Sequence, residues 1–250
     1  MAALETSRSI FFDEEEGIAL ATGTDSASEN WAFFPKGASP ASVKRVCAFF
    51  KELNLPFVWA VFPGAAADVK ILEEAGLRKR GELLVMYCAA FSLVSDIAVA
   101  PDFSLAPKKE KNESITFVVN EEIDVWAETA WVAFDSQPGA PDSFVNMARG
   151  LGGSGGVFLI LAKRDGIPAG TVMLTLDGDN AGIYYFATLP TERRKGVGEA
   201  MLRETARIAF DRGFDVLTLQ ATPKGIPFYT AQGFEPLFKL PIYSFSEEVF

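Results

Sequence analysis

The chain has 250 residues, of which 49% are hydrophobic and 22% charged, so it has the apolar material of one large or two ordinary domains and is not intrinsically disordered. Its 33 acidic and 23 basic residues give a formal charge of −10, which argues against nucleic acid as a partner because phosphate backbones bind basic surfaces. It contains no histidine, which excludes a Ser-His-Asp triad, an imidazole base and a histidine-ligated zinc.

Membrane and secretory signals are also missing from the sequence. The longest apolar stretch, residues 83–91, ends at Ser92 and is shorter than the roughly 20 residues that span a bilayer. The N-terminal residues place acidic side chains after a two-Phe patch, unlike a signal peptide. Cys47 and Cys88 are too few for a disulfide framework or a four-ligand metal site. We therefore expect a cytoplasmic monomer or homodimer with no metal site and no membrane partner.

Residues 1–105 predict a short series of alternating strands and helices. The predicted elements, in chain order, are the strand 31–34, the helix 42–54, the strand 57–62, the helix 68–75 and the strand 82–90. Gly76 is placed to end the second helix as a C-cap. The charged, proline-containing stretch 106–114 then follows, and we interpret it as a linker between domains.

Residues 115–250 repeat this order in a longer form. The predicted elements are the strand 115–120, the helices 121–134 and 141–151, the strands 157–164, 170–176 and 182–188, the helix 197–212, the strand 216–221, the helix 226–232 and the strand 237–245. Residues 71–77 also align without a gap to residues 228–234. Our hypothesis is an internal duplication of an α+β (mixed α/β) unit. The alternative is a chance repeat, because glycine after a helix is common.

The turn before the longest predicted helix has the composition of an anion site. Three consecutive basic residues, Arg193, Arg194 and Lys195, lead directly into Gly196-Val-Gly198. Glycines let backbone N–H groups approach a ligand, and the N-terminus of a helix adds partial positive charge. The turn does not have the glycine and lysine spacing of a P-loop or the glycine spacing of a dinucleotide-binding turn.

The pattern Arg193-x-x-Gly196-x-Gly198 resembles the acetyl-CoA signature of the GNAT superfamily of N-acetyltransferases, Gln/Arg-x-x-Gly-x-Gly/Ala. The Tyr-x-x-x-Gly-Phe run that begins at Tyr229 looks like the second motif of that family, a short helix that follows a strand. The resemblance covers about residues 115–245. It implies tandem GNAT-like domains, each a mixed, mostly antiparallel sheet flanked by helices, and an acetyl-CoA-dependent activity.

The resemblance also implies where acetyl-CoA binds. The fourth and fifth strands of the GNAT sheet splay apart, and the cofactor lies in the gap, with its pyrophosphate on backbone amides and its pantetheine arm beside the fourth strand. Lys224 is a candidate for the adenosine phosphate, with a solvated lysine as the alternative. The residues expected to bind the cofactor are Ala187, Thr188, Leu189, Arg193, Arg194, Lys195, Gly196, Val197, Gly198 and Glu199.

Tyr229 stands where many GNAT enzymes have a tyrosine that protonates the departing thiolate. A phenol with a pKa near 10 offers a positioned hydrogen bond as charge develops on sulfur, and simple packing beside Phe228 is the alternative. The general base stays open, because without histidine it is a carboxylate, a tyrosinate or a water chain. The strand 182–188 has no glutamate, and it offers Tyr184 and Tyr185 as candidates.

The charge pattern favours a cationic amine as the acceptor. Residues 121–179 carry nine acidic and three basic side chains, whereas residues 192–212 carry four acidic and six basic ones. A solvated acidic surface is an equally simple explanation of the first segment. The expected activity is acetyl transfer to a primary amine of a small molecule or peptide. The alternatives are a non-catalytic acyl-CoA-binding or regulatory module and a transferase of another acyl group.

Residues 1–105 lack the cofactor motif. The turn 35–42 contains a single lysine and a single glycine, and Pro40 removes one backbone donor from it. Leu72 takes the position of Tyr229 in the gap-free alignment. We therefore expect the first half to be a degenerate GNAT-like domain that keeps the scaffold without the cofactor site, and the second half to be the acetyltransferase domain.

Overall fold

The computed structural model describes residues 8–11, 17–66, 68–98, 115–135 and 139–247. The predicted linker, residues 106–114, lies outside these ranges. Within them, no helix combines the length and the apolar character that crossing a bilayer requires.

The first half (residues 1–105) contains three elements more than the sequence pattern predicts. Strands β1 and β2 are short, and helix α3 starts directly after β5 inside one continuous apolar run, so the side-chain pattern does not mark where the strand becomes a helix. The described elements are β1 (Arg8–Phe11), β2 (Ile18–Ala21), β3 (Trp31–Phe33), α1 (Pro40–Leu53), β4 (Val58–Ala60), α2 (Asp68–Glu74), β5 (Arg78–Ala89) and α3 (Ala90–Ala98).

The second half (residues 115–250) contains every element predicted for it. The ends differ by a few residues, mainly where a hairpin extends a strand beyond its apolar centre. The described elements are β6 (Ile115–Val119), α4 (Ile123–Asp135), α5 (Asp142–Gly152), β7 (Val157–Arg164), β8 (Ile167–Asp177), β9 (Asn180–Thr188), α6 (Val197–Phe210), β10 (Val216–Ala221), α7 (Ile226–Ala231) and β11 (Glu235–Ser244).

One mixed sheet contains all eleven described strands, in the order β1-β2-β3-β4-β11-β5-β10-β9-β8-β7-β6. The order shows that the two halves exchange strands. Strand β5 of the first half lies between β10 and β11 and pairs antiparallel with both. Strand β11 of the second half in turn lies between β4 and β5. The α+β class is confirmed, while the domain boundaries at residues 105 and 115 stay a prediction.

Helices cover both faces of the sheet in the second half. Successive residues of β7 show this, because Ile160 packs in the cluster around α6, whereas Leu159 and Leu161 pack in the cluster around α4 and α5. The second cluster includes the fully buried rings of Trp126 and Phe144. Burial of each such side chain contributes about 1.5–3 kcal/mol. These two layers hold β9, the strand next to the predicted site, from both sides.

Candidate active site

Strands β9 and β10 separate along their length. They pair in parallel only where residues 181–183 of β9 face residues 217–219 of β10. Strand β9 continues to Thr188, so the β10-facing edge of residues 184–188 pairs with none of the described strands. The gap between neighbouring strands that the resemblance implies is therefore present in the sheet.

A β-bulge at Tyr185 changes the direction of the side chains of β9. The backbone of Tyr185 has a φ of 45°, and the pairing register with β8 shifts between Thr171 and Met173. The extra residue breaks the regular alternation of faces. Ile183 and Phe186 therefore pack in the α6 cluster, whereas Tyr185 packs in the α4/α5 cluster.

The turn before α6 presents backbone N–H groups that no described residue accepts from. Arg194 and Gly196 both have left-handed backbones, with φ values of 61° and 78°, and such a turn forms a concave nest of amides. Helix α6 starts without a side-chain cap, and its first hydrogen bond runs from Ala200 N to Gly196 O at 3.0 Å. Among the described residues, no acceptor takes the amides of residues 194–199. The turn is therefore preformed for an anion.

Gly198 marks the point where three elements meet. A Cβ atom at this position would lie 3.3 Å from the ring of Phe228 on α7 and 3.8 Å from Thr188 Oγ1 at the end of β9. A Cβ atom there would require the Phe228 ring to shift by a few tenths of an ångström. The second glycine of the motif thus has a packing reason of its own.

Two of the three basic side chains of the turn are already engaged. Arg193 Nε donates to Thr188 O at 3.2 Å. Lys195 Nζ lies 3.2 Å from the carboxylate of Glu192, which also accepts from Arg164 Nε at 2.6 Å. The Arg164 guanidinium lowers the pKa of Glu192, and Lys195 adds to this effect. Glu192 therefore offsets the charge of Lys195, while Arg193 keeps its charge but is held by a backbone carbonyl.

Arg194 and Lys224 are the exposed cations that stay available. Neither forms a hydrogen bond or ion pair with another described residue. Arg194 belongs to the nest of amides itself, so its guanidinium is close in the chain to the free donors. Lys224 lies in the turn before α7, and its contact with an adenosine phosphate stays a prediction.

Tyr229 combines a buried ring with a hydroxyl that has no partner in the part of the chain that the structure describes. Its ring contacts Phe186, Phe228 and Phe234 edge-on, at centroid distances of 5.7, 5.3 and 5.6 Å. The side chain is only 9% exposed, and burial raises the pKa of Tyr229, so the phenol stays protonated at neutral pH. Within the described residues its hydroxyl makes no hydrogen bond, yet it is not sealed from solvent. Such a hydroxyl suits the donor role that the sequence predicts.

The two tyrosines considered as bases have different surroundings. Tyr184 is 38% exposed, and its ring lies over Gly182 of its own strand. The Tyr185 hydroxyl donates to the carboxylate of Glu29, a residue of the first half. Burial and the charge of Glu29 raise the pKa of Tyr185 far above its usual value, which disfavours a tyrosinate. Sequence reasoning missed Glu29, because 156 residues separate the pair and no local pattern connects them.

The acidic excess of the segment 121–179 is partly neutralised within the segment. Glu128 accepts hydrogen bonds from the amides of Gly139 and Ala140 at 2.8 and 2.7 Å. Other carboxylates form ion pairs, and these acids are not free to bind an acceptor. The pairs are Asp124–Arg149 and Glu122–Lys163, both at 2.6 Å, and Asp165–Arg164 at 3.0 Å.

Solved structures share this fold over almost the whole chain. A GCN5-related N-acetyltransferase from Kribbella flavida is 17% identical, with 97% of this chain and 90% of that chain covered and a TM-score of 0.62. A conserved protein of unknown function from Staphylococcus epidermidis is 13% identical, with 95% and 93% covered and a TM-score of 0.63. A tandem GNAT protein from the clavulanic acid biosynthesis pathway is 12% identical, with 96% and 83% covered and a TM-score of 0.58.

The sequence of the second half also matches a family model. The model of the acetyltransferase (GNAT) family matches residues 120–234, whereas no curated protein matches the chain. This family binds acetyl-CoA in general, and family and fold together support a general acyltransferase role. The predicted resemblance is therefore confirmed. Residues 120–234 therefore form a GNAT acetyltransferase domain, and the chain as a whole shares its fold with GNAT N-acetyltransferases, a tandem GNAT protein among them.

Proposed function

We propose that the protein is an acetyl-CoA-dependent N-acetyltransferase that moves an acetyl group directly to a primary amine of a small molecule or peptide. The observation that supports this best is the set of free amides at residues 194–199 beside the open edge of β9. The amides suit a pyrophosphate, because a helix N-terminus and a nest of N–H groups both favour anions. The open edge suits the amide-containing pantetheine arm.

The backbone bonds of the described residues refine the predicted cofactor contacts. Leu189 N already donates to Ala169 O at 3.0 Å, so this residue offers only its carbonyl. Thr188 O already accepts from the Arg193 side chain. Ala187 pairs with β8 on one side and has no strand on the other, so it is the residue of this group best suited to pair with the pantetheine arm.

Tyr229 is the proposed proton donor. A bound thioester supplies an activated acetyl group whose sulfur needs a proton when the carbon–sulfur bond breaks. Tyr229 holds its proton on Oη at neutral pH, because burial raises its pKa. The rings of Phe186, Phe228 and Phe234 hold the phenol in place, which fixes the direction in which the hydroxyl donates.

Thiol release tests the activity, and calorimetry tests the cofactor. We expect coenzyme A to bind with one site per chain. We also expect acetyl-CoA to release thiol in the presence of at least one class among polyamines, aminoglycosides, amino acids and peptide N-termini. Tight binding without release from any acyl-CoA would favour a non-catalytic binding module. Release from longer acyl-CoA thioesters alone would favour another acyl group. No binding at millimolar concentrations would refute the proposal.

A further inference from the structure

Glu29 places a carboxylate of the first half against β9 of the second half. It ends the short helical turn Ala27–Glu29 between β2 and β3, and it accepts a hydrogen bond from Tyr185 Oη. No lysine or arginine of the described residues pairs with it, and its Oε1 atom has no partner there although it is not sealed from solvent. Burial raises the pKa of Glu29, and the bond from Tyr185 opposes this. A partly buried carboxylate without a counter-charge favours a cation from outside the chain.

The loop that carries Glu29 is fixed by Asn30. This side chain is fully buried. Its amide group makes four hydrogen bonds to backbone atoms, three of them within the loop and one in the segment before β4. The partners are Thr24 O, Ser26 O, Pro56 O and Thr22 N, at 2.8–3.0 Å. Because the loop is already ordered, little conformational entropy is lost when a ligand binds the carboxylate.

Aromatic rings surround Tyr185 beside this carboxylate. The rings of Trp126, Phe144 and Phe134 lie edge-on to it, with centroids at 5.7, 5.6 and 6.3 Å. Met147 Sδ lies 3.9 Å from the Tyr185 hydroxyl. Phe134 is 59% exposed and reaches solvent on the side of α4, whereas Trp126 and Phe144 are buried and only support Tyr185. Aromatic rings attract ammonium groups and also bury an apolar body.

The carboxylate and Tyr229 flank β9 close to the point where the strands separate. Tyr185 is followed by Phe186, whose ring packs 5.7 Å from that of Tyr229. Tyr185 and Phe186 are successive residues and point to opposite faces of the sheet. The unpaired edge of β9, where we place the cofactor, lies between them. An acceptor held by Glu29 would therefore approach this edge from the side opposite Tyr229.

We propose that Glu29, Tyr185 and Phe134, here called the Glu29 pocket, bind the acceptor as a primary ammonium ion on an aromatic or aliphatic body, while the buried rings of Trp126 and Phe144 support Tyr185 from behind. Glu29 holds the ammonium group and accepts its proton. This inference rests on the proposed function, for which it names the acceptor class and the base. The first half then contributes a residue of the active site, in addition to the strand that it exchanges.

The proton balance of the reaction assigns one proton to each side of β9. The ammonium group gives one proton to the Glu29 carboxylate, which later releases it to water. The neutral amine then forms a carbon–nitrogen bond as the carbon–sulfur bond of the thioester breaks. The thiolate then gains a proton from Tyr229. The nitrogen loses a second proton, and this proton restores the hydroxyl of Tyr229. The products are an amide, a thiol and one proton in solution.

Calorimetry with a charged and an uncharged probe tests the Glu29 pocket. The probes are 2-phenylethylamine and 2-phenylethanol, titrated into the full chain at neutral pH with coenzyme A present. We expect the amine to bind about ten-fold or more tightly than the alcohol, because loss of one partner of a desolvated charge pair lowers the affinity at least this much. Glu29→Gln keeps an acceptor for Tyr185 but removes the charge, so we expect it to remove the preference.

Glu235→Gln is the matched control, because Glu235 accepts from Tyr87 Oη at 2.9 Å in an exposed pair of the same kind. It should keep the preference for the amine, and the affinity for coenzyme A should be equal in all variants, which also reports correct folding. Equal affinity for amine and alcohol in the natural chain, no heat from the amine, or a preference that survives in Glu29→Gln would each overturn the pocket. Binding of the amine without binding of coenzyme A would support the pocket and contradict the proposed function.

Discussion

The two halves start corresponding helices in different ways. In the second half, α6 begins at a glycine and leaves its first amides free. In the first half, the chain itself occupies the donors at the start of α1. Ser39 Oγ accepts from Ser42 N at 3.1 Å, and Pro40 has no N–H group. The carboxylate of Asp68 accepts from Ala38 N at 2.8 Å.

This difference shows how one backbone turn serves either as a structural cap or as a ligand site. Asp68 is a buried carboxylate, so the first half supplies its own anion to the amide of Ala38. The turn closes around it, since a Cβ atom at Gly37 would lie 3.1 Å from Asp68 Oδ1. A phosphate would meet a negative charge there and few free donors. We therefore expect one cofactor site per chain, in the second half.

The helices α2 and α7 keep the same frame around different chemistry. Gly76 and Gly233 end them with φ values of 96° and 86°. Leu77 N donates to Leu72 O after α2, and Phe234 N donates to Tyr229 O after α7, both at 3.0 Å. Leu72 is fully buried, whereas Tyr229 carries a hydroxyl that reaches open space. The scaffold is thus shared, and the proposed proton donor, Tyr229, has no counterpart in α2.

Closing the open turn should have the largest effect. Gly196→Glu places a carboxylate beside the free amides and forces a side chain into a backbone with a φ of 78°. We expect affinity for coenzyme A to fall on the order of 100-fold or more, by calorimetry, because the anion site would contain an anion of its own.

Gly213→Glu is the control for backbone strain. Gly213 follows the other end of α6, has a φ of 84° and has open space around its Cβ position. This variant should bind coenzyme A like the natural chain. Equal affinity for coenzyme A in both variants would show that the turn before α6 does not bind the cofactor.

The second largest effect should come from removing the hydroxyl of Tyr229, the phenol that distinguishes α7 from α2. Tyr229→Phe keeps the ring among its aromatic neighbours and removes the hydroxyl. We expect kcat to fall on the order of 100-fold, the usual contribution of a positioned acid, and the Kd of coenzyme A to stay unchanged. Tyr243→Phe, at a buried tyrosine of the first-half core, should leave both values unchanged. If Tyr229→Phe keeps full turnover, the hydroxyl has no part in the reaction.

Local signals explain why so much of the second half could be predicted. The glycine motif, the proline turn before it and the glycine after α7 each specify backbone conformation within a few residues. Gly196 and Gly233 do adopt left-handed conformations. The apolar period of α6 likewise sets which face is buried. These features depend on neighbours in the chain, and a single sequence contains them.

Non-local pairings explain what could not be predicted. Val216 of β10 pairs with Ala89 of β5, and no pattern within either strand specifies a partner in the other half. Tyr185 has a positive φ although it is not a glycine, so the regular alternation of faces is interrupted at a residue where the sequence does not indicate it. The pair Tyr185–Glu29 depends on both of these features. The sequence therefore limited the residue types that can act as a base, but it did not indicate the position that we propose.

Opening the capped turn of the first half should have a moderate effect on stability and none on cofactor binding. Asp68→Ala leaves the amide of Ala38 without an acceptor, which destabilises by about 1–3 kcal/mol in urea unfolding. Coenzyme A should still bind with one site per chain, because Ser39 and Pro40 continue to occupy the start of α1. A second equivalent of bound coenzyme A would contradict this account of the first half.

Asp68→Asn separates the charge of that residue from its hydrogen bond. Burial raises the pKa of Asp68, against the effect of the bond from Ala38. The natural chain should therefore lose some stability as the pH rises from the unfolded pKa of an aspartate through the raised folded value. Asparagine keeps an acceptor and does not titrate, so this variant should lack that loss. Unfolding curves at several pH values would measure it, and identical pH profiles would show that the charge on Asp68 has no influence.

The smallest effects concern the basic side chains of the open turn, and they separate a free cation from an engaged one. Arg194 has no partner among the described residues, so Arg194→Ala should weaken coenzyme A binding about ten-fold, the weight of a charge-assisted hydrogen bond. Lys195 already faces Glu192 at 3.2 Å in an exposed pair, so Lys195→Ala should change the affinity by about two-fold or less. Raising the salt concentration should reduce the affinity of the natural chain and of Lys195→Ala more than that of Arg194→Ala. The reverse order of the two variants would mean that Lys195 leaves Glu192 for the phosphates, and that the ion pair with Arg164 alone holds this carboxylate in place.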